Sequence, residues 1–337
     1  MSSRALVSLI LGIAISGVCL WFALKDVDLP AMVKSMGHVG IPWVIASVIP
    51  GLVGLVVRAF RWRLLLKATK SDLDTSPLVS ATFIGMTANN LLPARLGEVV
   101  RAWVLSRREK IAVTTVFASI MVERLLDTLA ALTILGFCLA VLPELSGSAA
   151  VLLKQAGLWV LGAVAVGVSV LCLLVVFRKS IVRVYDRWSA EQGRTWLSRA
   201  LELLLRFVEG LCVFKSGAQV AMTIGLSLFI WALAIASLHI LADGFSLGLT
   251  PLETALVFVI VLFGVAVPSA PGFVGTFHGF CVAGLEMVAG IEPTQAAAYA
   301  TLLHGTQWLA VTIVGLCFLV ADRSLTWSGI MSITRQG

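Results

Sequence analysis

The chain holds 337 residues, 59% of them hydrophobic and 13% charged, where soluble domains average about half and about a quarter. That balance excludes a water-facing surface wrapped around one core. A net charge of +7 would suit nucleic acid, but the Lys and Arg residues fall in connections between apolar blocks, where they favour anionic lipid surfaces and set topology.

The first apolar block, Ala5 to Leu24, matches the ~20 residues that cross a hydrocarbon core. It is longer than a signal-peptide core and runs into Trp21-Phe22-Ala23-Leu24-Lys25, so it is expected to be retained as a helix. A second crossing is expected over 41–62, built on Ile41 to Val57. Leu78 to Leu92 is apolar but only about 15 residues long, with basic connections at Arg58–Lys70 and Arg95–Lys110, so it is expected to enter and return.

Crossings over 112–142 and 155–177 follow. The basic segment 178–215 interleaves Trp188, Trp196, Leu197, Leu201, Leu204 and Leu205 with charge, and its latter part reads as an amphipathic helix on the cytoplasmic interface. A crossing over 218–241, including Ala218 to Leu241, comes next. Leu252 to Val267, a break at Pro268 to Gly272 and an arm from Phe273 to Val288 form a second hairpin, this time with flanks that lack basic residues. The last crossing is 294–321.

Basic connections at 58–70, 95–110 and 178–215, with Arg4, Arg323 and Arg335 at the ends, place both termini in the cytoplasm. The connections carrying Lys25, Lys34 and Lys154, and the uncharged-to-acidic stretch from Ala242 to Pro251, should face outward. The expected architecture is an all-α polytopic membrane protein of the cell membrane, a single domain over 1–337. It has about six spanning helices and two re-entrant hairpins. Its halves, 1–142 and 155–321, begin on opposite faces and so form an inverted repeat. Pro93-x-x-x-Gly97 and Pro271-x-x-x-Gly275 echo each other at the two breaks.

Proline at a break with glycine beyond it ends one half-helix and lets another begin, leaving backbone groups that must line a protein-walled or watery cavity. Both second arms would then point an electropositive N-terminus at the midplane, an arrangement that favours an anion. Charged residues gather in the same places: Arg95 and Glu98 at the first hairpin, and Glu123, Arg124 and Asp127 about three turns into a spanning helix. Each has a plainer reading. Glu98 would be stabilised by a helix dipole alone, and Glu123, Arg124 and Asp127 would neutralise one another at spacings of three and four. Arg58, Arg61 and Arg63 would snorkel to headgroups, or else form a cytoplasmic entrance for anionic lipid. His278, and His304 with Gln307, would relay protons, bind a headgroup or serve as satisfied core polar groups.

The six cysteines stand singly in apolar stretches and read as small buried hydrophobes, not metal or redox sites. Neither a G-x-S-x-G elbow nor a phosphate loop occurs, so no cofactor and no ATP-driven pump is expected.

Three motifs stand in order: Asn89-Asn90-Leu-Leu-Pro93-Ala-Arg95-Leu-Gly97-Glu98-Val-Val-Arg101-Ala, then Glu123-Arg124-Leu-Leu-Asp127, then Pro268-Ser-Ala-Pro271-Gly272-Phe-Val-Gly275. With Arg58-x-x-Arg61-Trp62 they resemble the lysylphosphatidylglycerol synthase transmembrane region family, the flippase-like domain, over nearly the whole chain. The resemblance implies lipid translocation. It does not imply lysine transfer, because the chain carries no synthase domain beside this region. It also implies an anionic phospholipid or a polyprenyl-phosphate-linked lipid as substrate, with lipid-modifying or glycan-synthesis enzymes as partners. Many members carry Glu soon after a Pro-Gly-Gly-Leu-Gly-like turn, whereas here Gly275 is followed by Thr276-Phe277-His278, so His278 would substitute.

The expected function is therefore a flippase-like transporter in which Arg95 and Arg124 hold phosphate. Glu98, Glu123 and Asp127 balance charge or couple protons, Asn90 lines the route, and Pro93, Gly97, Pro268, Pro271, Gly272 and Gly275 shape the breaks. An intramembrane transferase using Glu123 or Asp127 as base, and a non-transporting scaffold docking through 178–215, are the alternatives.

Overall fold

The computed structural model describes residues 3–67, 69–92, 96–141, 148–177, 180, 182–183 and 217–322, and every regular element among them is a helix. Pro93 and Arg95 lie outside the described residues, as does most of the 178–215 segment. In chain order the helices are α1 (Ser3–Leu24), α2 (Leu29–His38), α3 (Ile41–Leu66), α4 (Thr75–Leu91), α5 (Gly97–Glu109), α6 (Val113–Val141), α7 (Ser148–Val176), α8 (Gly217–Gly244), α9 (Pro251–Ala266), α10 (Thr276–Ala289) and α11 (Pro293–Ala321). The six expected crossings correspond to α1, α3, α6, α7, α8 and α11.

By length and composition α3, α6, α8 and α11 each reach across a membrane, as does the stretch Pro271–Ala289, and α1 joins them when paired with α2, from which it is bent by 83°. The chain is thus an all-α, multi-pass membrane protein. Helix starts follow local chemistry. The Asp28 carboxylate accepts the Ala31 N–H at 3.2 Å to begin α2, and Thr250 and Glu253 cap each other's amides to begin α9. At α11 the Glu292 carboxylate accepts the N–H groups of Thr294 and Gln295, with Pro293 in the first turn.

Two compact units divide the chain. The first comprises residues 1–60, 74–113 and 226–337; the second comprises 61–73 and 114–225. The first unit gathers both hairpins. In one, Gly85 of α4 faces Gly97 and Arg101 of α5, and Asn89 faces Gly97, so the two arms run antiparallel. In the other, Gly264 of α9 lies on Phe280 of α10, while Val257 and Ile260 reach Gly284, again antiparallel. As helices α4 has 17 residues, α5 13, α9 16 and α10 14, about 20–26 Å each against about 30 Å of hydrocarbon; α10 reaches a spanning length only together with its lead-in from Pro271.

The second arm of the first hairpin is α5, a stretch that reads by charge as part of a basic connection. Val100, Val104 and Leu105 are buried on it, and so is Arg101, while Arg107 and Arg108 occupy its last turn. Its C-terminal end is tied down by Arg108, whose Nε donates to Asp322 Oδ2 at 2.7 Å just beyond α11. Helix α2 is a further element beyond the expected set, with Met32 in the core of this unit beside Leu241, Leu285 and Ala296.

In the second unit α6 packs antiparallel on α7 where Gly136 meets Gly157 and Leu161, a close approach that only small residues allow. The end of α3 is joined to the start of α8 by Gln219 Nε2, which donates to the Leu64 carbonyl at 3.0 Å.

Candidate functional site

Helix α11 is the strut on which both hairpins of the first unit meet. Asn90, at the end of α4, donates from Nδ2 to Thr312 Oγ1 at 2.9 Å and to the Trp308 carbonyl at 3.3 Å. One turn earlier Thr87 donates to the Val311 carbonyl at 3.1 Å, and Gly315 admits the Thr87 side chain and the Phe83 carbonyl. From the other hairpin, the Gly272 carbonyl accepts from His304 Nε2 at 2.8 Å. A Cβ on Gly272 would stand 2.7 Å from Trp308 Nε1 and 3.1 Å from the Asn90 carbonyl oxygen, so the break of the second hairpin touches the tip of the first.

The midpoint of Pro293–Ala321 is Gln307, so these contacts at 304–312 sit about halfway along a helix roughly 43 Å long. The α4 hairpin occupies the C-terminal half of α11, because residues 83 and 87 pair with 315 and 311. The α9–α10 hairpin leads at Ala289 into the start of α11 and so occupies its N-terminal half. Two half-length hairpins thus enter from opposite ends and meet at mid-helix, in keeping with the opposite entry expected from loop charge.

At each tip a helix begins. For α5, the Gly97 N–H donates to Asn89 Oδ1 at 2.8 Å, and a Cβ on Gly97 would collide with the Gly85 carbonyl and the Asn89 amide. For α10, Gly275 (φ 93°) precedes the first turn and lies against the Ser16 carbonyl of α1, an approach closed to any side chain. At the break Gly272, at φ 69°, takes a conformation open to glycine, and Phe273, at φ 61°, follows in a left-handed conformation that a bulky residue seldom adopts. The Ala270 N–H is held by Ser16 Oγ of α1 at 2.8 Å.

Beside the break the Phe277 ring stacks on His304 with centroids 4.6 Å apart, and His278 meets His304 edge-on at 5.0 Å. His278 also accepts the Gly275 N–H at Nδ1, 3.4 Å away. Gln307 faces the other side of α11, donating to the Ser47 carbonyl and to Ser237 Oγ, where Gly51 leaves room for its amide. Pro271 is half-buried, Pro268 is exposed, and Glu98 and Arg58 are half-buried on α5 and α3.

The acidic pair lies in the second unit. Ser119, Glu123, Asp127 and Ala131 recur every four residues and form the buried stripe of α6. Into it reaches Arg61, whose guanidinium lies 2.8 Å from Asp127 and 3.6 Å from Glu123. Arg124 lies 3.6 Å from Glu123 and 3.7 Å from Asp127. Two guanidinium and two carboxylate groups therefore cancel. The side chains of Arg61 and Glu123 are fully buried, while Arg124 keeps 38% of its surface exposed.

Snorkelling does not describe Arg61: next to it Trp62 is also buried, donating to Ser119 Oγ at 2.9 Å, and the guanidinium finds carboxylates instead of headgroups. The partners that sequence reasoning missed are Arg61 for the acids, Asn89 as the cap of α5, and Trp308, Thr312 and Phe277 around the junction. Asn89 was discoverable from the Asn-Asn pair before the break. Arg61 and α6 are too far apart in sequence for helical spacing to reveal.

A multi-pass helical protein with paired, oppositely entering hairpins is the class that fold and site define. The chain belongs to the family described as lysylphosphatidylglycerol synthase TM region, whose pattern it matches over residues 9–315. Among curated relatives, a UPF0104 membrane protein of Methanothermobacter thermautotrophicus is 25% identical over 81% of this chain and 83% of its own length. A second UPF0104 membrane protein, from Methanocaldococcus jannaschii, is 21% identical over 89% of this chain and 90% of its own. Glycosyltransferase AglD of Haloferax volcanii is 26% identical over 92% of this chain, which spans about half, 53%, of that relative's length.

Proposed function

We propose that this protein moves an amphipathic lipid between leaflets, its anionic headgroup passing the hairpin junction while the tails stay in the bilayer. The observation that carries the reading is the meeting of two half-helix tips at the middle of α11, at Asn90, Gly272 and His304. Both α5 and α10 begin there, so two sets of helix N-terminal dipoles favour negative charge at mid-membrane depth. Arg95, between the ends of α4 and α5 in sequence, would supply the phosphate's counter-charge. Rocking of one hairpin against the other along α11 would alternate access. On this reading the protein works in the cell membrane with both termini cytoplasmic.

The substrates we favour are an anionic phospholipid or a polyprenyl-phosphate-linked lipid, and one relative, AglD, bears the name of a glycosyltransferase. The same name favours a second reading, an intramembrane transferase acting on a lipid-phosphate sugar donor. That reading is the weaker one, because Glu123 and Asp127, the acids available as base, are already engaged by Arg61 and Arg124.

A leaflet-resolved flipping assay in proteoliposomes, run over phospholipids and polyprenyl phosphates, tests both. The expected outcome is protein-dependent movement of one lipid class that Arg95→Ala reduces at least tenfold, the scale of one lost charge-assisted contact. Product formation from a sugar donor in detergent, with no flipping of any lipid, would replace transport by transfer.

A further inference from the structure

The start of α10 is held by an unusual cap. Glu or Gln is the customary residue three places into a helix that reaches back to the N-cap amide. Here the imidazole of His278 occupies that place and accepts the Gly275 N–H on Nδ1. A nitrogen that accepts carries no proton, so this contact exists only for neutral His278 protonated on Nε2. His304 is in the opposite situation. Its Nε2 faces the Gly272 carbonyl, which can only accept, so that nitrogen is the donor whether the ring is neutral or charged.

We propose that His278 and His304 form a proton-binding site, and that charging His278 releases the first turn of α10 from the hairpin break. Three consequences of one proton point the same way. The Nδ1 lone pair is consumed and the Gly275 amide loses its partner. A positive charge appears in the first turn of a helix, where the dipole opposes it. That charge also faces the His304 ring at 5.0 Å. The bond from His304 to Gly272 survives, so the break stays anchored to α11 while α10 loosens.

The first hairpin, whose tip touches the break, carries Glu98 and Arg101 on α5, and among the described residues the other elements packed on this pair bring few titratable groups. From α1 the titratable neighbour is Cys19, against Gly279; from α11 it is Tyr299, whose hydroxyl is committed to the Leu238 carbonyl at 2.8 Å. From α9 it is Glu253, at the far end and occupied in its own capping box, and α10 itself carries Cys281 and, eight residues on, Glu286. The proposal deepens the transport reading, since it makes the mobile tip of one hairpin proton-sensitive.

Hydrogen exchange of the backbone amides of 274–279 in the detergent-solubilised full chain reads the switch without any lipid. From about pH 8 down to about pH 3.5, protection corrected for intrinsic rates should fall about fivefold, the scale of one lost cap. His278→Gln keeps an acceptor at the same place and cannot titrate, so its protection should stay flat. His304→Gln keeps the donor to Gly272 and should retain the fall with an altered midpoint.

A wild-type profile without pH dependence, or a His278→Gln profile that falls like the wild type, overturns the proposal. Flipping assayed at both pH values separates the two claims. Movement of lipid without the exchange switch sinks only the proton site, and the switch without movement of any lipid sinks only the transport reading.

Discussion

At the hairpin junction the contacts of the described residues are neutral and shared with backbone: the amides of Asn89 and Asn90 and the ring of His304 each meet a main-chain group of another element or arm. In the quartet between the end of α3 and α6 polarity is ionic, with Arg61 and Arg124 each within 4 Å of Glu123 and Asp127. The difference bears on which part can move. A neutral hydrogen bond contributes about 1 kcal/mol net, so the contacts at the junction can be exchanged for water or ligand one at a time. A buried charge stripped of its partner costs several times more, so the quartet persists as a whole or fails as a whole.

The sharpest way to break that comparison is to remove one charge. Asp127→Ala takes the carboxylate 2.8 Å from Arg61 and leaves a fully buried guanidinium undercompensated. The expected loss is about 3–5 kcal/mol, read as a large fall in the thermal unfolding midpoint in detergent. Replacing the pair together, as Arg61→Met with Asp127→Leu, should recover most of that loss. A single variant as stable as the wild type would show that the quartet is not an interdependent charge network.

The junction is tested by steric means. On Gly97 a Cβ would meet the Gly85 carbonyl and the Asn89 side chain, so Gly97→Ala must separate α4 from α5. A destabilisation of about 1–3 kcal/mol is expected, with the amide of residue 97 losing protection from exchange. Gly17→Ala on α1, which has nothing within 4 Å, should be neutral or slightly stabilising and serves as the control. Equal midpoints for the two variants would mean that the first hairpin is not closely packed at its tip.

How much of this was legible in the sequence depended on the range over which each signal acts. Length and apolarity located α1, α3, α6, α7, α8 and α11, because a span must satisfy the membrane by itself. The shortness of Leu78 to Leu92 between basic flanks exposed the first hairpin. The start of its second arm was legible at Gly97 and Glu98, but its extent was not, since Arg101, Arg107 and Arg108 make α5 look like a connection although Val100, Val104 and Leu105 are buried on it. Helix α2 had its signal in Asp28 and Pro30, a cap followed by a first-turn proline, but too little apolar length to count as a span. Spacing placed Glu123 and Asp127 on one face of α6 and paired Arg124 with them. The approach of Arg61 depends on how α3 meets α6, which no local periodicity encodes.

The smallest expected effect lies at the N-terminal end of α11, where the same comparison between ionic and neutral polarity can be made at an exposed residue. Glu292 caps the helix by accepting the amides of Thr294 and Gln295 at 3.0 and 3.1 Å. Those backbone bonds hold its carboxyl below the usual carboxylate range. A group whose pKa is lower in the folded chain stabilises it at pH values above the unfolded pKa, and loses that contribution as pH falls through the folded value. Wild type should therefore lose a small increment of thermal stability on acidification that Glu292→Gln, neutral throughout, does not lose. Because Glu292 is exposed, the increment is damped by solvent and falls further in salt. A Glu292→Gln chain with the same acid-side slope as wild type would show that α11 is set by its packing within the first unit and owes nothing measurable to its cap.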